Sequence, residues 1–244
     1  MLIKELNHKY SAFKRVLIFL IDLLLVLVIY ALILFSVGTS LVTKLSVDDV
    51  KVVNSEFAKV ALKFDVPTLD GGLYGLKVID MDGIIDSEIN SGKTSEDGFN
   101  RYNELNNLVN QELVKSEVYK ESFNNFYRNY LFINILSMFT SLLIIELIVP
   151  LFSKKHQTLG MMLLKACLVS KNSFIILSKY QVLLRFFIIL ILEYLASYLF
   201  LNNFGLTMLI LLSIASICFT KHRFTFSDAI LKVKMAETEY SFNE

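Results

Sequence analysis

The stretch Phe13-Lys14-Arg15-Val16-Leu17-Ile18-Phe19-Leu20-Ile21-Asp22-Leu23-Leu24-Leu25-Val26 opens an apolar run that continues to Val37. Its only charges are Lys14, Arg15 and Asp22. A bilayer core is crossed by about 20 mostly apolar helical residues, so this run reads as a membrane span with two ionisable groups on one face. Arg15 and Asp22 stand seven residues apart, close to two helical turns. A cleaved leader is the rival reading, because Ser36-Val37-Gly38 is small enough to resemble a cleavage site. The run is longer than a leader's apolar region and carries an acid near its middle, so an uncleaved span is expected.

Working outward, three more runs have the same character. They are Tyr130 to Phe152, about Val182 to Leu201, and about Phe204 to Thr220. Asn202, Asn203 and Gly205 mark a tight turn between the last two. Composition agrees: hydrophobic residues make up 55% of the 244 and charged residues only 19%, against about 25% charge in soluble domains. The net charge of +1 gives no reason to expect a nucleic-acid partner. Two cysteines are too few for a disulfide scaffold or a cysteine-rich metal site.

Lysine and arginine in the connecting segments set the orientation. Residues 1–15 hold Lys4, Lys9, Lys14 and Arg15 against Glu5, and residues 153–181 hold five lysines and no acid. Residues 38–129 carry a net charge of −5. The expected fold is therefore an all-α membrane protein with four transmembrane helices and both termini in the cytoplasm. A mainly helical extracytoplasmic insertion lies between the first and second spans. The chain divides into a cytoplasmic N-terminus and first span (1–37), the insertion (38–129), a membrane domain with the remaining three spans (130–235) and a cytoplasmic tail (236–244).

Within the insertion, Ser46 before Asp48 and Asp49 looks like a helix start. Val50, Val53, Phe57, Val60, Ala61 and Phe64 follow at the spacing of one apolar face. Pro67, Gly71, Gly72 and Gly75 break the pattern. A helix is expected from about Tyr102 to Arg128, running on into the second span. Asp80-Met81-Asp82-Gly83 misses calcium-loop spacing, since the first and last ligand positions would be Val78 and Ile89, so a solvated turn is expected. The three histidines, His8, His156 and His222, all fall on the cytoplasmic side. No nucleophile can pair with one outside, so a catalytic role is not expected, nor is a cofactor or resident metal.

Ionisable groups at membrane depth cost several kcal/mol and default to functional candidates. At about 1.5 Å per residue, Asp22 lies roughly 13 Å into the first span and Glu193 roughly 16 Å into the third, both near the midplane. Glu146 lies late in the second span, four residues before Pro150, which cannot donate to its carbonyl. Arg185, Ile189, Glu193 and Ser197 form a drifting polar seam. Arg15 and Arg185 could equally snorkel to the interface, and Glu146 could be interfacial. Arg15 is about 10 Å from Asp22 along the axis, which is long for contact. Asp22 is therefore expected to pair across helices, with Arg185 as its cation and Thr158 or Asp228 nearby.

These residues resemble the RDD family of bacterial membrane proteins, named for an arginine and two aspartates. The first span carries the Arg15…Asp22 pair. The segment His156-Gln157-Thr158-Leu159-Gly160-Met161 resembles the family's Gly-x-Thr-Leu-Gly-Lys box, with His156 and Met161 in place of its first glycine and its lysine. Arg185 opens the next span, and Phe226-Ser227-Asp228-Ala229-Ile230-Leu231-Lys232-Val233 resembles the closing block, with Val233 in place of threonine. Thr158 can also cap a short helix, and Gly160 allows close backbone approach.

The resemblance implies a multi-pass protein of the bacterial cell membrane with a transport role, cation (Na+ or K+)/proton antiport in some members. Asp22, Glu193 and Glu146 would exchange ions or protons, Arg15 and Arg185 would tune them, and Thr158, Gly160 and Asp228 would form the cytoplasmic motif. Partners would be the lipid bilayer, monovalent cations and protons, with a homo-oligomer or another membrane protein alongside. The alternative is a non-transporting scaffold or accessory subunit that binds a partner through its acidic extracytoplasmic segment.

Overall fold

A computed structural model of the protein describes residues 11–170, 175–191, 214–218, 225, 228 and 230–238. Glu193, the turn at 202–205 and most of the fourth expected span lie outside the described residues. The chain forms two compact units, one built before Leu32 and after Ser137, the other from Leu32 to Ser137.

Two long helices dominate. The first runs Ala12–Leu45 as α1 (Ala12–Ile33), a π-helical segment (Leu34–Gly38) and α2 (Thr39–Leu45). The second runs Glu117–Phe152 as α6 (Glu117–Leu142), a π-helical segment (Leu143–Ile148) and α7 (Val149–Phe152). At 34 and 36 residues, each is roughly 50 Å long, beyond the ~30 Å of a bilayer core. Their apolar stretches are only 17% and 28% buried, whereas the core helix of a soluble protein hides most of its surface. Both fit a membrane protein. On α1 the pattern is inverted relative to a soluble helix. Arg15, Ile18, Asp22 and Val26 face inward, while Phe13, Leu20, Leu24 and Val28 are exposed. The second π segment precedes Pro150, and the Val149 N–H donates to the carbonyl of Ile144, five residues back. A wide turn of this kind absorbs the hydrogen-bond defect that a proline brings to a helix interior.

In the first unit, α8 (Leu159–Leu163) is capped by Thr158, whose hydroxyl accepts from the Met161 N–H at 3.3 Å. It leads into β3 (Ala166–Ser170), which pairs antiparallel with β4 (Val233–Glu237), Leu168 opposite Met235. The far edge of β3 bonds to residues 175–177. Ile18, Met161, Ala166, Leu168, Val182, Val233 and Met235 share one apolar cluster with Leu177. The mostly helical reading holds, but the all-α one does not, because this sheet and a smaller one are present. The strand escaped detection because Ala166 to Val169 are buried on both faces. A fully buried strand has no alternation to betray it. Helix α9 (Lys179–Ile188) opens with a capping box between Ser178 and Gln181.

In the second unit, α3 (Val47–Lys63) buries Val50, Val53 and Ala61 on one face, with Phe57, Val60 and Phe64 partly buried beside them. Ser46 precedes α3 without capping it; its hydroxyl accepts from the Asn129 amide at 3.1 Å. The Pro/Gly region forms the short hairpin β1 (Thr68–Leu69) and β2 (Val78–Ile79). Asp80 caps α4 (Met81–Asn90) by accepting from the Gly83 N–H at 2.9 Å. The helix expected from Tyr102 to Arg128 is two: α5 (Ser95–Leu113) ends, and α6 begins at Glu117. Past Arg128, α6 continues unbroken to Leu142.

Candidate functional site

The first unit gathers five ionisable side chains from distant parts of the sequence. Arg15 comes from α1 and donates through Nη2 to Oδ2 of Asp228 at 2.5 Å, across 213 residues. Arg185, from α9, donates through Nε to Oδ1 of the same aspartate at 3.3 Å. Its Nη1 donates to Oε2 of Glu146, in the second π segment, at 2.7 Å. Arg15 is 3% exposed and Asp228 1%. Burial alone would push the Asp228 carboxyl up. The guanidiniums of Arg185 and Arg15 outweigh it and hold the group below its ordinary value. The Thr225 hydroxyl accepts from the Asp228 N–H at 3.3 Å.

Asp22 is satisfied differently. Its Oδ2 accepts from the Thr158 hydroxyl at 2.6 Å and its Oδ1 from the Gly160 N–H at 2.8 Å. Both donors are neutral and both belong to the Thr-Leu-Gly box. A Cβ on Gly160 would lie 2.8 Å from the Ile18 carbonyl oxygen and 2.9 Å from Oδ1 of Asp22. Only glycine lets the box backbone come this close to α1.

The expected Asp22–Arg185 ion pair is therefore corrected. Arg185 bonds Glu146 and Asp228, while Asp22 takes the box. The reason is geometric: the start of a short helix offers Asp22 a backbone N–H and the capping hydroxyl, which complement a carboxylate without a charge. Thr158 lies beside Asp22 as expected. The snorkelling alternative fails for both arginines, which turn inward to carboxylates. Glu146 is likewise a paired group, with a side chain 13% exposed. Glu193 lies outside the described residues.

A cavity of about 50 Å³ lies among these groups, lined by Arg15, Asp22, Glu146, Arg185, Thr225 and Asp228 among others. That is room for a few water molecules. Thr225 was not singled out in the sequence; its signal was the Thr-x-x-Asp spacing to Asp228, the pattern of a local hydroxyl–backbone bond. Met161, where the family box has lysine, is buried and lines the same cavity with a thioether.

The RDD family pattern matches residues 10–232. The chain belongs to the RDD family. No curated protein and no solved structure matches it. Arg15, Asp22 and Asp228, the residues on which the sequence resembles the family's arginine and two aspartates, line one cavity. Arg15 and Asp228 bind each other, and Asp22 holds the Thr-Leu-Gly box.

Proposed function

We propose that this RDD protein is a multi-pass protein of the bacterial cell membrane that exchanges a monovalent cation, Na+ or K+, for protons. Four spans, cytoplasmic termini and an extracytoplasmic segment 38–129 complete the reading. No substrate is chemically converted and no cofactor is needed. One observation carries it: Asp22 is buried on α1, bonded to neutral donors, beside a cavity large enough for water. A buried carboxylate beside water can trade a proton for a cation, because burial disfavours its charge while the two hydrogen bonds favour it. Asp228 differs, since two guanidiniums fix it as an anion.

Cation-dependent proton flux in proteoliposomes tests the reading. Wild-type protein is expected to collapse a proton gradient when Na+ or K+ is added outside. Asp22→Asn is expected to fold normally and abolish that flux. Equal flux from the two proteins, or none from the wild type, would overturn the assignment.

A further inference from the structure

Arg185 lies between carboxylates. Its Nη1 is on Glu146 at 2.7 Å and its Nε on Asp228 at 3.3 Å, and a third carboxylate, Asp22, lines the same cavity. We infer that Glu146 and Asp22 are alternative partners of the Arg185 guanidinium. Glu146 is then a positioning residue that parks this cation away from Asp22 while Asp22 carries a proton or a monovalent ion. The inference rests on the antiport reading for the identity of the ion, but not for the sharing of Arg185.

Three features support the exchange. Asp228 anchors the Nε edge of the guanidinium, so its Nη edge can turn within a cavity that has room for water. Glu146 sits in the π-helical segment Leu143–Ile148 just before Pro150. Wide turns of this kind are frequent at functional sites. Arg185 and Glu146 are also charged groups whose fields act on Asp22. Among the described residues, the charged groups around Asp22 are Arg15 on its own helix, Glu146, Arg185 on α9, and Asp228. With all five groups ionised, two guanidiniums face three carboxylates around the cavity, a net charge of −1 that one monovalent cation or one proton neutralises.

The mechanism is a competition. With Arg185 on Glu146, Asp22 is open to its ligand; with Arg185 on Asp22, the ligand is displaced by a tethered cation. A double-mutant cycle on the full chain in lipid nanodiscs tests the shared partner. Asp22→Asn and Glu146→Gln each leave Arg185 a second acid to turn to, so each single Tm is expected within a few degrees of wild type. The double variant is expected to lose roughly 5 °C more than the sum of the singles. Additive losses would overturn the inference.

The second readout is kinetic. Glu146→Gln hands Arg185 to Asp22, so KM for the transported cation is expected to rise about tenfold with a smaller change in kcat. Glu146→Asp is expected to restore KM. An unchanged KM in Glu146→Gln would overturn the positioning role. Should the wild type move no cation at all, the antiport reading falls and the thermal cycle still decides whether the two acids share Arg185.

Discussion

Gly160 and Thr158 show how single atoms set the site. The Gly160 Cα faces the Ile18 carbonyl and the Asp22 carboxylate at distances that exclude a methyl group. Gly160→Ala must push the box away from α1, so a loss of about 1–3 kcal/mol is expected, the range for overpacking a tight contact. Thr158→Val keeps the volume but removes both the Asp22 bond and the cap of α8, and should cost about 1–3 kcal/mol for a buried acceptor left unpaired. Thermal unfolding of the two variants against Thr158→Ser checks this. The serine retains the hydroxyl and should sit close to wild type. A Gly160→Ala protein as stable as wild type would show that α1 and the box can separate without loss.

At the scale of elements, the charges of the second unit tie helices that its core has already brought together. Ala61 and Val66 pack with Ile84, Leu105, Val109 and Leu113. Over that core Glu112 of α5 bonds Lys63 of α3 as well as Lys115, its neighbour three residues on. Hydrogen bonds from the Lys115 and Lys63 ammonium groups hold the Glu112 carboxyl down from its ordinary 4.5 to about 2. A group lowered on folding adds stability above its unfolded value, and the contribution is lost as pH falls through the folded one. Between about pH 4.5 and 2 the α3–α5 contact should therefore loosen, modestly, since the pair is exposed and screened by salt. Amide-exchange protection in α3 and α5 is expected to decline across that window in wild type. Glu112→Gln should decline less, and identical profiles would remove Glu112 as the cause.

For the whole molecule, the charge asymmetry between segments makes a directional statement. Ser91 is exposed at the end of α4 in the acidic segment, so Ser91→Cys in a Cys218→Ser background should react with an impermeant thiol reagent on intact cells. Ser241→Cys in the same background should react only after permeabilisation. The reverse pattern would invert the proposed topology.

Much of this protein was legible without its structure. The long apolar helices, the shared face of Arg15 and Asp22, the capping role of Thr158 and the apolar face of α3 all follow from local spacing. A helix's periodicity is written in consecutive residues. RDD membership was also legible, because its motif blocks are short and ordered along the chain. The break between α5 and α6 was missed because no proline or glycine marks Val114 to Ser116, and β3 because a strand buried on both faces carries no alternation. Tertiary structure alone decided who pairs with whom among the buried charges. By sequence logic Asp22 pairs with Arg185, yet it meets neither arginine in a direct bond. The helix start at Gly160 offered two uncharged donors at bonding distance, while Asp228, 213 residues from Arg15, claimed both guanidiniums. A carboxylate takes the partner that folding brings within 3 Å, and sequence distance holds no record of that choice.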